Sequence, residues 1–269
     1  MKLNENLPVN LQKLSNGTFY RRVVAGGLLV SVTLVAGTSA VADTTLPKFS
    51  GMTAGGAITG WTTLKPSAKA QDTKYTLVRD GDKTVLKADA VGSMSGLTLV
   101  VNIDIRQTPR IRWRWKIAAP VATADLRTKT GDDYAARIYV MFDYPASKLS
   151  FATRASLKIA ESIYGQKIPT AALNYVWDNR QPIGTIAPNS YTDRARMIVI
   201  ESGADKVGQW VTETRDLGAD FMAAFGEVPP NVVAVALATD TDNTGETAIA
   251  WYGDIEFLSA GPTAVTDKQ

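Results

Sequence analysis

The chain has 269 residues and contains neither cysteine nor histidine. Their absence excludes disulfides, thiolate nucleophiles, Ser-His-Asp triads and zinc sites built on Cys or His. Any catalysis would therefore depend on carboxylates, Tyr, Lys or Arg, or on a hard cation bound by oxygen. Residues 43–269 carry 25 basic and 25 acidic side chains, so the charge balance predicts no nucleic-acid partner.

The first 42 residues have the pattern of a secretory signal peptide. Arg21 and Arg22 precede an apolar run, which ends in the small-residue cleavage pattern Ala40-Val41-Ala42. A retained membrane anchor is the alternative, but the many small residues in the run favour cleavage after Ala42. The sequence thus predicts a periplasmic or secreted protein with no stable membrane insertion after cleavage.

Composition divides the remaining chain into three segments. Residues 43–60 are rich in Gly, Thr and Ala and are predicted to form a flexible tether. Residues 259–269 are predicted to form a loose tail. Between them, residues 61–258 show no internal repeat and no linker-like break, which indicates a single domain.

The pattern within this domain is mainly β. Asp80-Gly81-Asp82 separates two strand-like runs, which indicates a hairpin. Several further segments alternate apolar and polar side chains as half-buried strands do, among them 97–105, 110–117 and 133–142. In the second of these, Trp113 and Trp115 alternate with isoleucines, so we expect both tryptophans in the core.

Two segments depart from the strand pattern. Residues 148–164 have helical composition and precede Gly165, which indicates an inserted helix. A short helix is predicted to follow Asp216 and to end at Gly226, ahead of Pro229. Strands separated by turns, together with these two helices, predict a two-layer antiparallel β-sandwich of the jelly-roll kind.

Several long motifs carry a family resemblance. They are WRWK (113–116), GDDYAARIYVMFD (131–143), NYVW (174–177) and TDTDNTGETAIAWYGDI (239–255). In order and spacing they resemble a family of exported proteobacterial proteins described only as a domain of unknown function. The resemblance implies a single-domain exported protein, and it assigns neither an activity nor catalytic residues. More loosely, the strand order and the terminal WYGDIEF resemble galactose-binding-like jelly-roll domains, many of which bind glycans.

The acidic stretch 239–246 admits two interpretations. Asp240, Asp242 and Glu246 offer hard oxygen ligands, which would suit a structural calcium ion. The spacing is not that of an EF-hand loop, because Trp251 stands where a bidentate Glu would be needed. The alternative is a strand-connecting turn whose polar side chains bind backbone N–H groups. The turn is favoured, and calcium remains the only cofactor hypothesis.

A second candidate site lies in the segment 133–142. If the apolar side chains face the core, Asp133, Arg137 and Tyr139 share the opposite face. That face could contact a sugar, with Asp accepting from hydroxyls, Arg donating to oxygens and Tyr stacking on the ring. It could equally hold structural ion pairs, with Asp132, Asp133 and Asp104 as partners for the cations of 110–116.

Two aromatic residues complete the predicted binding site. Tyr175 and Trp177 lie near the inserted helix and precede Asp178-Asn179. We predict that they form an aromatic platform for a sugar ring.

These features favour an exported protein that binds a carbohydrate or cell-envelope glycan. A hydrolase or lyase is the alternative, using Tyr or a carboxylate pair such as Asp132 or Asp133 with Glu246 or Glu201. No diagnostic catalytic motif is present, so no catalytic residue is assigned. A third hypothesis is an envelope interaction module that docks through residues 148–164.

Overall fold

The computed structural model describes residues 46–65, 70–149, 151, 154 and 170–259. The predicted signal peptide, most of the predicted inserted helix over 148–164, and the predicted tail apart from Ser259 lie outside these residues. The strands within them are β1 (Thr62–Leu64), β2 (Lys74–Asp80), β3 (Lys83–Val91), β4 (Met94–Ile103), β5 (Arg110–Ile117), β6 (Arg137–Phe142), β7 (Ala171–Asp178), β8 (Ile186–Asn189), β9 (Thr192–Ser202), β10 (Val211–Asp216), β11 (Val232–Asp240), β12 (Thr247–Tyr252) and β13 (Glu256–Leu258).

The strands form the predicted two-layer sandwich. The large sheet has the order β1-β4-β11-β6-β7-β9-β8, and the small sheet has the order β10-β5-β12-β3-β2, with β13 paired to β5. The predicted hairpin is confirmed, since Asp80 pairs with Lys83 across a two-residue turn in which Gly81 has a φ of 62°. One pairing departs from the all-antiparallel prediction, because β7 and β9 run parallel.

Aromatic side chains join the two sheets. Trp113 and Trp115 on β5 are buried as predicted, and they face β7 of the opposite sheet. The ring centroids of Trp113 and Tyr175 lie 5.2 Å apart, and those of Trp115 and Trp177 lie 6.0 Å apart. Such large buried rings supply much of the apolar area that stabilises a sandwich core.

The short helix α1 (Leu217–Phe225) has the predicted ends. The side chain of Asp216 accepts a hydrogen bond from the backbone N–H of Ala219 at 2.9 Å, which caps the first turn. Gly226 adopts a left-handed conformation and its N–H donates to the carbonyl of Met222, which closes the last turn. No helix among the described residues is long and apolar enough to cross a membrane.

The predicted flexible tether is wrong from Leu46 onwards. Leu46 and Phe49 are buried in the main core, and the ring of Phe49 stacks on Trp61 at 5.2 Å. The backbone N–H and hydroxyl of Ser50 both donate to the carboxylate of Asp254. Two apolar anchors and these hydrogen bonds hold the segment against the sandwich, so its Gly-rich composition does not make it free.

Candidate functional site

A cavity of about 480 Å³ opens on the outer face of the large sheet. Its volume lies within the range of small-molecule sites. Acidic, amide and aromatic side chains line it together with one arginine and a few small or apolar residues. They are Ala70, Met94, Asp132, Arg137, Tyr139, Asn189, Tyr191, Thr192, Ala195, Asp240, Asp242 and Asn243.

Strand alternation explains why part of the predicted site lines this cavity. Ile138 and Val140 of β6 point into the core, so Arg137 and Tyr139 point to the opposite face. Arg137 pairs in register with Ala238 of the neighbouring strand β11, which ends two residues later at Asp240. The start of β6 and the end of β11 therefore bring a guanidinium and a carboxylate together at one end of the large sheet.

Arg137 is the central charged group of the cavity, and it is only 2% exposed. Its Nη2 donates a short hydrogen bond to Oδ2 of Asp240, which is fully buried. Its Nη1 lies 3.8 Å from Oδ1 of Asp132, longer than a hydrogen bond. Nε and Nη1 make no hydrogen bond within the described residues, although Arg137 lines the cavity. The cavity therefore contains buried donors that lack an acceptor.

The turn between β8 and β9 forms the opposite wall. The amide of Asn189 donates to both carboxylate oxygens of Asp132, at 3.2 and 3.0 Å. The hydroxyl of Tyr191 donates to the side-chain oxygen of Asn243 at 2.9 Å, which ties this turn to the acidic loop after β11. Tyr191 remains 57% exposed, so its ring is available at the rim.

Asp133 was predicted to share the face of Arg137 and Tyr139, but it does not line the cavity. Its carboxylate instead binds the backbone of the acidic turn. Its carboxylate accepts hydrogen bonds from the backbone and side-chain amides of Asn243 and from the backbone N–H of Thr244, the last at 2.6 Å. The N–H of Gly245 donates to the carbonyl of Thr241 at 2.8 Å. The stretch 239–246 is thus a turn between β11 and β12, as the favoured interpretation predicted.

The calcium hypothesis needs a different ligand set from the predicted one. Glu246 points away, and its carboxylate accepts from the N–H groups of Ala122 and Thr123. Asp133 takes its place, since one oxygen each of Asp133, Asp240 and Asp242 lie within 4.8 Å of one another. Arg137 already neutralises Asp240, and three donors already occupy Asp133, so this donor set does not fit a calcium ion well.

The predicted aromatic platform of Tyr175 and Trp177 is wrong. Trp177 is 1% exposed and Tyr175 is fully buried between the sheets. The hydroxyl of Tyr175 donates to Asp220 of α1, and Nε1 of Trp177 donates to the carbonyl of Gly203. Both rings pack against β5, so neither can contact a ligand.

The carboxylate pairs considered for hydrolysis do not line the cavity. Glu246 binds the 122–123 backbone, and Glu201 pairs with Lys206 at 2.6 Å. Glu201 lies beside Glu213, whose carboxyl has a pKa raised to about 7 by burial and by the neighbouring Glu201. Of the candidate acids, only Asp132 is a lining residue.

The predicted counter-ions of the β5 cations are also wrong. Asp104 pairs with the nearby Arg106, and the acids at 132 and 133 lie in the loop that leads into β6 of the other sheet. Glu256 of β13 pairs with Arg112 instead, and Arg114 lies over the ring of Trp210 at 4.3 Å. A second cavity, of about 370 Å³, borders these groups, and Arg112 and Glu256 form an ion pair in its wall.

Burial and neighbouring negative charges raise the pKa values of the acids that line the first cavity. Burial raises the pKa of Asp132, with Arg137 opposing the shift. Burial and then the neighbouring Asp133 raise the pKa of Asp242. The pKa of the Tyr191 hydroxyl is raised by burial and by Asp132 and Asp242. Three carboxyl groups and one guanidinium line the cavity among the described residues, and the crowding of the carboxyl groups opposes ionisation of each further acid.

Sequence reasoning did not find Asn189 and Tyr191. They lie more than 50 residues after Asp132, and only the addition of β9 and β8 to the large sheet beside β7 brings them to the cavity. The sequence signal was weak. It consists of a polar turn, Asn189-Ser190-Tyr191, whose aromatic residue does not belong to the apolar face of any predicted strand.

Residues 59–256 match the model of a family described as "Protein of unknown function (DUF3047)". The chain belongs to this family. The resemblance carried by the long sequence motifs is thereby confirmed, and the match extends over both sheets of the DUF3047 sandwich. Comparison with curated protein sequences gave no match.

Solved structures with a similar sandwich include proteins of carbohydrate metabolism. A family 11 carbohydrate-binding module of a cellulosomal cellulase of Clostridium thermocellum aligns at 9% identity and a TM-score of 0.38, covering 82% of this chain and 97% of the module. A family 12 xyloglucanase from Bacillus licheniformis aligns at 9% identity and a TM-score of 0.42, covering 75% and 93%. Similarity at this level supports no conclusion about function.

Proposed function

We propose that this DUF3047 protein is an exported protein that binds a carbohydrate in the cavity on the large sheet. The observation that carries the proposal is that Arg137 is buried with unpaired nitrogens. This side chain is buried in the cavity wall, and two of its nitrogens have no acceptor within the described residues. A buried donor without a hydrogen-bond acceptor costs free energy. A ligand with acceptor oxygens would recover this free energy.

The remaining lining supports a polyhydroxylated ligand. A sugar hydroxyl both donates and accepts, so it can satisfy Arg137 and a carboxylate at once. Asp242 and Asn189 offer acceptor and amide groups next to the guanidinium. Tyr191 presents an aromatic ring at the rim, and such rings pack against the apolar faces of sugars.

Binding without catalysis agrees with the arrangement of the acids. Hydrolysis by two carboxylates needs one to remain protonated and the other to act on the opposite face of the sugar. Asp132 and Asp240 are instead both directed at Arg137, and Asp132 also accepts from Asn189. We therefore propose a binding role, and a structural calcium ion remains a hypothesis that the melting temperature with calcium and then EDTA tests.

The proposal is tested by isothermal titration of the purified protein with oligosaccharides that bind on an array of neutral, amino and acidic glycans. Tyr191→Ala should weaken binding by about three- to tenfold, the value of an aromatic contact. Ile183→Ala is the matched control, since Ile183 is also exposed and does not line the cavity. No binding to any glycan on the array, or equal effects of both substitutions, would contradict the proposal.

A further inference from the structure

We infer that the ligand of this cavity carries a protonated amine beside its hydroxyl groups, as an amino sugar does. The inference rests on the proposed function and specifies its substrate class. It comes from two features of the cavity: an excess of carboxylates over cations, and guanidinium donors without an acceptor.

The charge excess is visible in the lining. Asp132, Asp240 and Asp242 line the cavity, and Arg137 is the only cation in its wall among the described residues. Arg137 is already engaged by Asp240 and lies near Asp132. Outside the wall, Lys129 lies over the ring of Tyr191 at 5.3 Å, so even with this cation counted the three carboxylates of the lining outnumber the cations.

Asp242 is the carboxylate left for a ligand. It is exposed at the cavity, and within the described chain no cation pairs with it. Its one side-chain partner is the amide of Asn243, which donates at 3.3 Å. The buried Asp133 adds further negative charge beside it. A cationic group on the ligand would gain from this position, whereas a uronate or phosphate would be repelled.

The free donors of Arg137 exclude a ligand that is only a cation. Nε and Nη1 need an acceptor oxygen, and an ammonium group has none. A hydroxyl supplies the acceptor without adding negative charge to the cavity. An amine next to hydroxyls, as in a 2-amino sugar, meets both requirements within one ring.

A matched pair of ligands tests the inference. Cellotetraose and the β-1,4-linked glucosamine tetramer share one backbone and differ in a hydroxyl or an amine at each second carbon. At about pH 6 the amines are largely protonated. By isothermal titration we expect the glucosamine tetramer to bind about tenfold or more tightly than cellotetraose, with the difference shrinking as salt is added.

Variants locate the effect. Asp242→Asn should reduce the preference for the glucosamine tetramer over cellotetraose to about threefold or less. The exposed Asp205 lies outside the cavity, so Asp205→Asn should leave the preference unchanged. A loss of preference in both variants would indicate non-specific attraction and overturn the inference.

The remaining outcomes separate the inference from the proposed function. Equal binding of the two tetramers, or tighter binding of cellotetraose or tetragalacturonate, overturns the inference and leaves carbohydrate binding intact. Binding of neither tetramer overturns the inference, and an empty glycan array would overturn the proposed function as well. Calcium is also titrated into the protein. If calcium binds, if Asp242→Asn abolishes that binding, and if the glucosamine tetramer does not compete with it, the excess of carboxylates serves a metal ion and the inference is overturned.

Discussion

Replacing Arg137 with methionine would isolate the energetic role of the ion pair beneath the cavity. The side chain of Asp240 is fully buried and depends on Arg137 for its counter-charge, while Asp132 lies 3.8 Å from the same guanidinium. Arg137→Met keeps much of the side-chain volume and removes the charge. It therefore leaves a buried carboxylate without its cation, which is a costly change.

The expected loss is about 3–5 kcal/mol of unfolding free energy near pH 8. Burial already raises the pKa of Asp240, with Arg137 opposing the shift, so removal of the guanidinium raises that pKa further. A carboxyl whose pKa is higher in the folded than in the unfolded state binds protons more tightly when folded. The folded variant is therefore stabilised as pH falls, and the loss should shrink by about 1.4 kcal/mol for each pKa unit of the shift.

The assay is urea unfolding followed by tryptophan fluorescence at about pH 8 and about pH 5. Arg106→Met is the matched control, because Arg106 pairs with Asp104 at the surface and should show no measurable change. Adding Asp240→Asn to Arg137→Met should recover much of the stability at the higher pH. A loss below about 1 kcal/mol at pH 8, or a loss that does not depend on pH, would refute the assigned role of the pair.

Three further predictions concern Trp177, Glu213 and calcium binding. Trp177→Ala should lower the free energy of unfolding by about 3–5 kcal/mol and leave the ligand affinity of the folded protein unchanged; a selective loss of affinity in titrations would contradict its core position. Burial raises the pKa of Glu213 to about 7, above its unfolded value, so wild-type stability should fall between about pH 5 and pH 8. Glu213→Gln should be about 1 kcal/mol more stable than wild type at pH 8 and similar at pH 5, whereas parallel urea-unfolding profiles would argue against the shift. Millimolar calcium should leave the melting temperature unchanged, because Arg137 competes for Asp240; a rise that EDTA reverses and Asp242→Asn removes would restore the calcium hypothesis.

Strand periodicity explains which parts of the fold were predictable. Period-two alternation identifies β5 and β6, and it places Trp113 and Trp115 in the core. The parallel pairing of β7 and β9 has no such local signal, because it depends on how the chain between them crosses the sheet. Leu46 and Phe49 are isolated apolar residues in a polar segment, so their burial was not visible either.

The same reasoning explains the partial success at the site. Arg137 and Tyr139 are two residues apart on a half-buried strand, so they share a face whatever covers the other side. Tyr175 and Trp177 also share a face of their strand, but both faces of β7 are buried. Alternation alone therefore cannot tell whether their face packs against the small sheet or lies on the outer side of the large sheet. Val176 belongs to a second apolar cluster on the opposite side of the large sheet. An aromatic residue on such a strand is therefore core, even beside polar neighbours.

Some cavity residues stabilise the fold and others are exposed to a ligand, and this difference decides which substitutions can report on function. Asp133 holds the turn after β11, and Arg137 and Asp240 neutralise each other inside the sheet, so changing any of them alters stability first. Asp242 and Tyr191 are exposed. Asp242 has one side-chain hydrogen bond, and the Tyr191 hydroxyl donates to Asn243 and to the carbonyl of Lys129, so their substitution should cost less stability than a change to the buried pair. A loss of binding in an Arg137 variant would thus be ambiguous. The same loss in Asp242→Asn or Tyr191→Ala, with an unchanged melting temperature, would identify the ligand's own contacts.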